Sequence, residues 1–219
     1  QQTENGVVLI DLGGTTTNVA VYEEGDLQHV AVLPVGSVNI TNDLAIGLKT
    51  DLDVAEAVKL EHAVAVPAAR KDKREVITVK VGGKSHEFAV DDIDMIVDAR
   101  LEEIFELVNK ELKSIGRAAK LPGGAVLTGG GAQLSAIADY AKQALQLSAR
   151  VGHTQEFAGV SDKVASPAWS TALGLMLIDL ESQNLGTHHG KKAIGSNKPS
   201  LDITNLTKKI TGVFGRFRT

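Results

Sequence analysis

Asp11, Gly13, Gly14, Thr15, Thr16 and Thr17 come close together at the end of a wholly apolar run, 7–10. A carboxylate, two glycines and three hydroxyls in that order form a layout for phosphate. The glycines let backbone N–H groups approach an anion closely, and the hydroxyls can donate to its oxygens. Asp11 is no direct metal ligand in this reading; it stands where it could hold Mg2+ through a water. A second run, Gly129, Gly130 and Gly131, follows the apolar stretch 125–128 much later in the chain. It releases the chain into a helix expected over about 134–147, and a helix start behind glycines suits a phosphate or a ribose. Taken singly, the first run also fits a plain hairpin turn and the second a close-packed strand-to-helix connection. As a pair they read as two walls of one nucleotide pocket.

The elements that would position these groups are a mixture of strands and helices. A three-strand meander is expected over 7–12, 17–22 and 27–35, broken by the first glycine turn and by Glu24-Gly25-Asp26. A polar turn at 39–42 caps a short helix to Leu48, and a second helix covers about 53–62. Glu56 and Lys59 lie three apart on what reads as its exposed side, the spacing of a surface ion pair worth about 0.2–0.5 kcal/mol. A hairpin over 76–81 and 84–90, turned at Gly82-Gly83, leads into a long helix from near Asp91. There Ile93, Val97, Leu101, Ile104 and Val108 recur at helical spacing, a stripe for core packing.

With 219 residues and 43% hydrophobic content, the chain can build one large core or two small ones. It has no cysteine, which excludes disulfides and cysteine-ligated zinc or iron–sulfur sites and fits a reducing compartment. The six histidines show no metal-ligand spacing; His188 and His189 are adjacent in a polar stretch. From Asn184 onward, Lys191, Lys192, Lys198, Lys208, Lys209, Arg216 and Arg218 stand against Asp202 alone. That stretch is therefore +6, and since the whole chain is −4 the body carries −10. An acidic body argues against nucleic-acid binding by the folded part.

The stretch 184–202, rich in Gly, Lys, Asn, His and Ser without apolar periodicity, reads as a flexible linker. Over 203–219 the pattern changes. Ile203, Leu206, Ile210, Val213, Phe214 and Phe217 share one side of a helical wheel, with Lys208, Lys209, Arg216 and Arg218 around its flanks and back. This suits a helix lying in an anionic membrane interface. Each basic residue there contributes about 1 kcal/mol, and each fully buried large apolar side chain roughly 1.5–3 kcal/mol. Gly212 and Gly215 oppose this by about 1 kcal/mol each in helix propensity. A final helix packed on the body, or a basic arm for nucleic acid, remains the alternative reading of these residues.

Taken in order, the hairpin turn, an amphipathic insert and the Gly-Gly-Gly-Ala turn resemble the second half of an actin-fold ATPase. Within that superfamily the chain resembles the FtsA family, bacterial cell-division homologues of actin. The likeness extends to GSVNITNDLAIGLKT (36–50), Ala55-Glu56-Ala57-Val58-Lys59, DDIDMIVDARLEEIFELVNKEL (91–112) and SPAWSTALGLM (166–176), and so covers nearly everything up to about Gln183. The chain departs from the family pattern at Thr15 and Asn18, where a glycine and an acidic residue are usual. Nothing in it matches the family's first half, which holds another phosphate loop and a small domain used in self-association. The expectation is therefore a C-terminal portion of such a protein.

The resemblance implies an α/β fold. Residues 1–36 and 115–183 would form an actin-like (ribonuclease-H-like) nucleotide-binding subdomain, with 37–114 inserted as a smaller α+β subdomain. A linker at 184–202 and a membrane-targeting helix at 203–219 would follow. It implies ATP with Mg2+ as ligand, phosphates at the first glycine turn, and the nucleoside between Glu56, Lys59 and Gly129 to Gly131. It also implies that the insert receives the C-terminal tail of the ring protein FtsZ, with Arg100 matching a helix arginine implicated there; read by itself, Arg100 is an ordinary solvated residue. The implied role is a scaffold holding FtsZ polymers to the cytoplasmic face of the inner membrane at the septum, with self-association as a further contact. There is no catalytic residue to name and at most weak ATPase activity, since one lobe cannot close the cleft. Two rival readings share the superfamily: a fragment of a small-molecule kinase, and an actin-like adaptor of type IV pilus assembly.

Overall fold

The structure is a computed structural model that describes residues 3–70, 75–153 and 166–186. The chain divides into two compact units, Gln1–Gly152 and His153–Thr219.

The first unit is organised by a five-stranded sheet in the order β3-β2-β1-β6-β7, from β1 (Val7–Leu12), β2 (Thr17–Glu23), β3 (Asp26–Leu33), β6 (Ala125–Thr128) and β7 (Ala149–Val151). β1 is central, and its Val8, Ile10 and Leu12 are buried. It runs antiparallel to β2, with Leu12 opposite Thr17, and parallel to β6, with Asp11 beside Thr128. That register brings the two glycine turns to the same end of the sheet.

Between β3 and β6 come α1 (Ser37–Gly47), α2 (Leu52–His62), the hairpin of β4 (Val76–Val81) and β5 (Lys84–Ala89), and α3 (Val90–Ser114). The expected stripe of α3 is fully buried, Phe105 and Leu112 extending it. α4 (Ile137–Leu145) follows β6, and the Phe105 and Tyr140 rings, 5.5 Å apart, join α3 to α4. Ile10, Val19 and Leu127 from the sheet share one buried cluster with Ile104, Phe105 and Ile137 from the helices. Each such side chain contributes about 1.5–3 kcal/mol by leaving water.

Several boundaries differ from the sequence reading. The polar stretch 39–42 lies inside α1, which starts at Ser37; Asn39 caps it by accepting the Gly36 N–H at 3.0 Å through Oδ1. The helix expected from 134 begins only at Ile137. The second glycine turn instead passes through a 3₁₀ turn, Gly130–Gln133, and Ala136 sits in the left-handed region (φ 61°) before α4. β7 was not anticipated, because three residues are too few to show alternation.

In the second unit a 3₁₀ turn, Pro167–Trp169, is capped by Ser166 Oγ, which accepts the Ala168 N–H at 3.3 Å, and α5 (Ser170–Gly186) follows. α5 thus runs into the stretch read as linker from 184. The rest of that stretch and the amphipathic segment 203–219 lie outside the described residues. Among the described residues no helix is long and apolar enough to cross a membrane.

Candidate functional site

The first glycine turn is closed by its own backbone. Gly13 N–H donates to Thr16 O at 2.9 Å, and the Gly13 carbonyl accepts from both the N–H of Ser37 at 2.9 Å and its Oγ at 3.1 Å. Val38 N–H donates to Gly14 O at 2.8 Å. The first N–H groups of α1 are therefore satisfied by the turn, which fastens α1 to the sheet and leaves that helix start closed to an anion. Gly36 is required here for proximity, because a β-carbon would collide with the Gly13 and Gly14 carbonyls. Two of the donors expected at a phosphate, the Gly13 N–H and the Thr17 hydroxyl, have partners within the fold. The Gly13 N–H is held within the turn, and Thr17, fully buried, donates its hydroxyl to Val35 O at 2.9 Å. Gly14 and Thr15 are exposed and Thr16 is half-buried.

The second turn lies against the end of β1 that leads into the first. Gly129 adopts φ 84°, and a β-carbon on it would strike Asp11 Oδ1 and the Leu12 carbonyl. Gly130 faces open space.

Beside the turns opens a cleft of about 810 Å³ whose walls include Gly130, Gly131, Glu56, Lys59, Ser37 and Leu134. This lies within the range of small-molecule and cofactor sites, roughly 300–1,000 Å³. Asp11, Gly13, Gly14, Thr15, Thr16 and Gly129 stand next to the cleft and do not line it.

Glu56 and Lys59 are not the exposed pair of the sequence reading. α2 packs against α1, which covers the Lys59 side chain to 11% exposure while the Glu56 side chain stays 42% exposed at the wall of the cleft. Lys59 Nζ lies 2.7 Å from Glu56 Oε2, donates to Thr41 Oγ1 at 2.8 Å and reaches Ser37 O at 3.4 Å. Thr41 donates to the same Glu56 Oε2 at 2.5 Å. Burial opposes ionisation of Glu56, but the Lys59 and Thr41 hydrogen bonds and the Lys59 charge outweigh it and hold the carboxyl below its ordinary range. Glu56 is therefore a carboxylate at neutral pH, an acceptor for hydroxyl or amino groups. Thr41 and Ser37 were missed. The available signal for Thr41 was a hydroxyl on the buried side of α1, which Ile40 and Leu44 share.

Arg70, which also lines the cleft, donates to the His62 carbonyl at 2.7 Å and pairs with Asp94. Arg100 lies outside the cleft. Its guanidinium grips Asp43 of α1 through Nε at 2.6 Å and Nη2 at 2.9 Å and also contacts Glu103, so it is not an ordinary solvated residue. Among the described residues no three His, Cys, Asp or Glu side chains are grouped to hold a metal ion directly.

A mixed sheet with two glycine turns at one end, beside a cleft walled by an inserted helix pair, is the architecture of actin-like ATPases. MreB5 of Spiroplasma citri, solved bound to ADP, superposes with a TM-score of 0.64 at 19% identity, over 85% of this chain and 56% of that one. A chain of the PilM-PilN type IV pilus biogenesis complex gives 0.59 at 20% identity, over 81% of this chain and 46% of that one. The family model of cell division protein FtsA matches residues 8–174, and the chain belongs to the FtsA family. Cell division protein FtsA of Bacillus subtilis (strain 168) is 40% identical over 203 residues, 92% of this chain and 44% of that protein. The Pseudomonas aeruginosa relative is 32% identical over 209 residues, 94% of this chain and 50% of that protein. The chain spans about half the length of the curated relatives it matches.

Proposed function

We propose that this chain is the ATP-binding lobe of a cell-division scaffold that holds FtsZ polymers to the cytoplasmic face of the inner membrane at the septum. The observation that carries the reading is the packing of the second glycine turn on Asp11 and Leu12, which lead into the first, beside a cleft lined by Gly130, Gly131 and the Lys59–Glu56 pair. Residues 1–36 and 115–183 form the nucleotide-binding subdomain in this reading, with 37–114 as the insert that takes the FtsZ tail near Arg100.

The cleft's size and its acceptor carboxylate fit a nucleoside. Glu56, braced and charged by Lys59, and Gly129 to Gly131 would hold that end, while Gly14, Thr15 and Thr16 would meet the phosphates beside the cleft. Asp11, set between the turns, would hold Mg2+ through water. Bound ATP would supply a polyanion whose presence or loss can switch the lobe's contacts. The protein's own part is to bind and orient, and no side chain is assigned as a catalytic base.

The tether belongs to 203–219, supported by its one-sided apolar pattern and basic flanks. Titration of the whole chain with Mg·ATP tests the lobe, and flotation with anionic liposomes tests the tether against a version ending at Gln183. The reading requires saturable ATP binding, together with flotation of the whole chain alone that weakens in salt; a pull-down with the FtsZ tail peptide then tests the insert. A chain that binds no ATP and floats no better than its shortened version refutes it.

A further inference from the structure

Thr41 is a buried hydroxyl, 6% exposed, on a helix face otherwise packed with Ile40 and Leu44. A valine would fill the same space, so the hydroxyl needs another explanation, and buried polar groups are held in place by hydrogen bonds. It closes a triangle, donating to Glu56 Oε2 at 2.5 Å and accepting from Lys59 Nζ at 2.8 Å. Lys59 has three protons, and Glu56 Oε2, Thr41 Oγ1 and, more weakly at 3.4 Å, the Ser37 carbonyl account for them. Lys59 therefore has no uncommitted proton for a ligand and acts as a charge and a brace. On Glu56 these contacts fall on Oε2 and none on Oε1.

We propose that Thr41 is a positioning residue of the cleft. Its hydroxyl fixes one oxygen of Glu56 so that the other is presented to the ribose hydroxyls of a bound nucleotide, and it thereby sets the preference for ribose over sugars lacking those hydroxyls. The inference rests on the nucleotide reading above. A carboxylate only accepts, so an ordered Oε1 discriminates by what the ligand can donate. Without Thr41 the carboxylate is still paired to Lys59 but free to turn about its last bond, and the discrimination is lost before the charge is.

The test compares the whole chain with Thr41→Val and Thr41→Ser, titrated with Mg·ATP and with Mg·2′,3′-dideoxyATP, and melted to verify folding. Wild type is expected to favour ATP by about tenfold, Thr41→Val to lower ATP affinity about five- to tenfold and abolish the preference, and Thr41→Ser to keep both. If Thr41→Val keeps wild-type affinity and preference, or if Thr41→Ser fails as Thr41→Val does, the hydroxyl is not what positions Glu56 and the inference falls. A wild-type chain that binds neither nucleotide overturns the nucleotide reading, and this inference with it, a result distinct from either.

Discussion

Asp11 and Gly129 are locked together: the carboxylate oxygen Oδ1 occupies the space a side chain on Gly129 would need, and Gly129 holds φ 84°. Gly129→Ala therefore meets two penalties, a left-handed backbone and overpacking against Asp11 and the Leu12 carbonyl, together roughly 2–5 kcal/mol. Gly130, one residue on, faces open space, and Gly130→Ala should stay within about 0.5 kcal/mol of wild type. Urea unfolding followed by circular dichroism separates the two. Equal midpoints for Gly129→Ala and wild type would mean that the turns do not pack as described.

Glu56 gives the fold an acid limit. Folding lowers its pKa from 4.5, so the unfolded chain takes up the proton first. The stabilisation is complete above about 4.5 and is lost as pH falls through the lowered value. Because the side chain is 42% exposed, solvent screening keeps this below about 1 kcal/mol. Glu56→Gln should lose that increment at neutral pH and match wild type at a strongly acidic pH, where the carboxyl is protonated in both states. Unfolding of both proteins at the two pH values is the measurement, and a gap of the same size at both would contradict a lowered pKa.

Arg100 and Asp43 join α3 to α1 through two parallel hydrogen bonds, with both side chains less than a third exposed. The Asp43 hydrogen bond raises the guanidinium pKa, burial opposes it, and the Asp43 and Glu103 charges add to the rise. A double-mutant cycle with Arg100→Ala and Asp43→Ala should give a coupling of about 1 kcal/mol, and Arg100→Lys should recover little of it, because an ammonium cannot form the fork. If this arginine also receives a carboxylate of the FtsZ tail, Asp43 competes with the peptide. Asp43→Asn should then tighten peptide binding severalfold in a fluorescence titration, and unchanged or weaker binding would separate Arg100 from that role.

The parts of the fold legible in the sequence are those that repeat. Ile93 through Val108 announced α3 by spacing alone, and the alternation of Ile77 and Val79 announced β4. What was not legible depends on which faces meet. Periodicity places Glu56 and Lys59 on one side of α2, but only the packing of α1 shows that this side faces a cleft. Arg100 reads as solvated because Asp43 is 57 positions away. Thr17 reads as a phosphate donor because the carbonyl it satisfies, Val35 O, belongs to a backbone whose path no local pattern fixes. The start of α4 was displaced by Ala136, whose left-handed backbone is unexpected in a residue with a side chain.

Tyr140 sets an alkaline limit. Its ring packs on Phe105 and its hydroxyl reaches the Asp98 carbonyl at 3.4 Å. Burial is the largest cause raising its pKa above 10.0, reinforced by the charge and hydrogen bonding of Asp98 and by the charges of Glu102 and Glu106. A phenolate there would be poorly solvated and would face three carboxylates. Since the folded pKa exceeds the unfolded one, Tyr140 adds stability that is fully present below about 10 and is lost as pH rises toward the folded value. The chain has two tyrosines, so ultraviolet absorbance can follow their ionisation directly. Titration of the folded protein should hold back one phenol that Tyr140→Phe removes, and urea should return it to the ordinary range. If Tyr140→Phe removes a phenol that ionises near 10 in the folded protein, the packing of Tyr140 on α3 does not shield the hydroxyl from water.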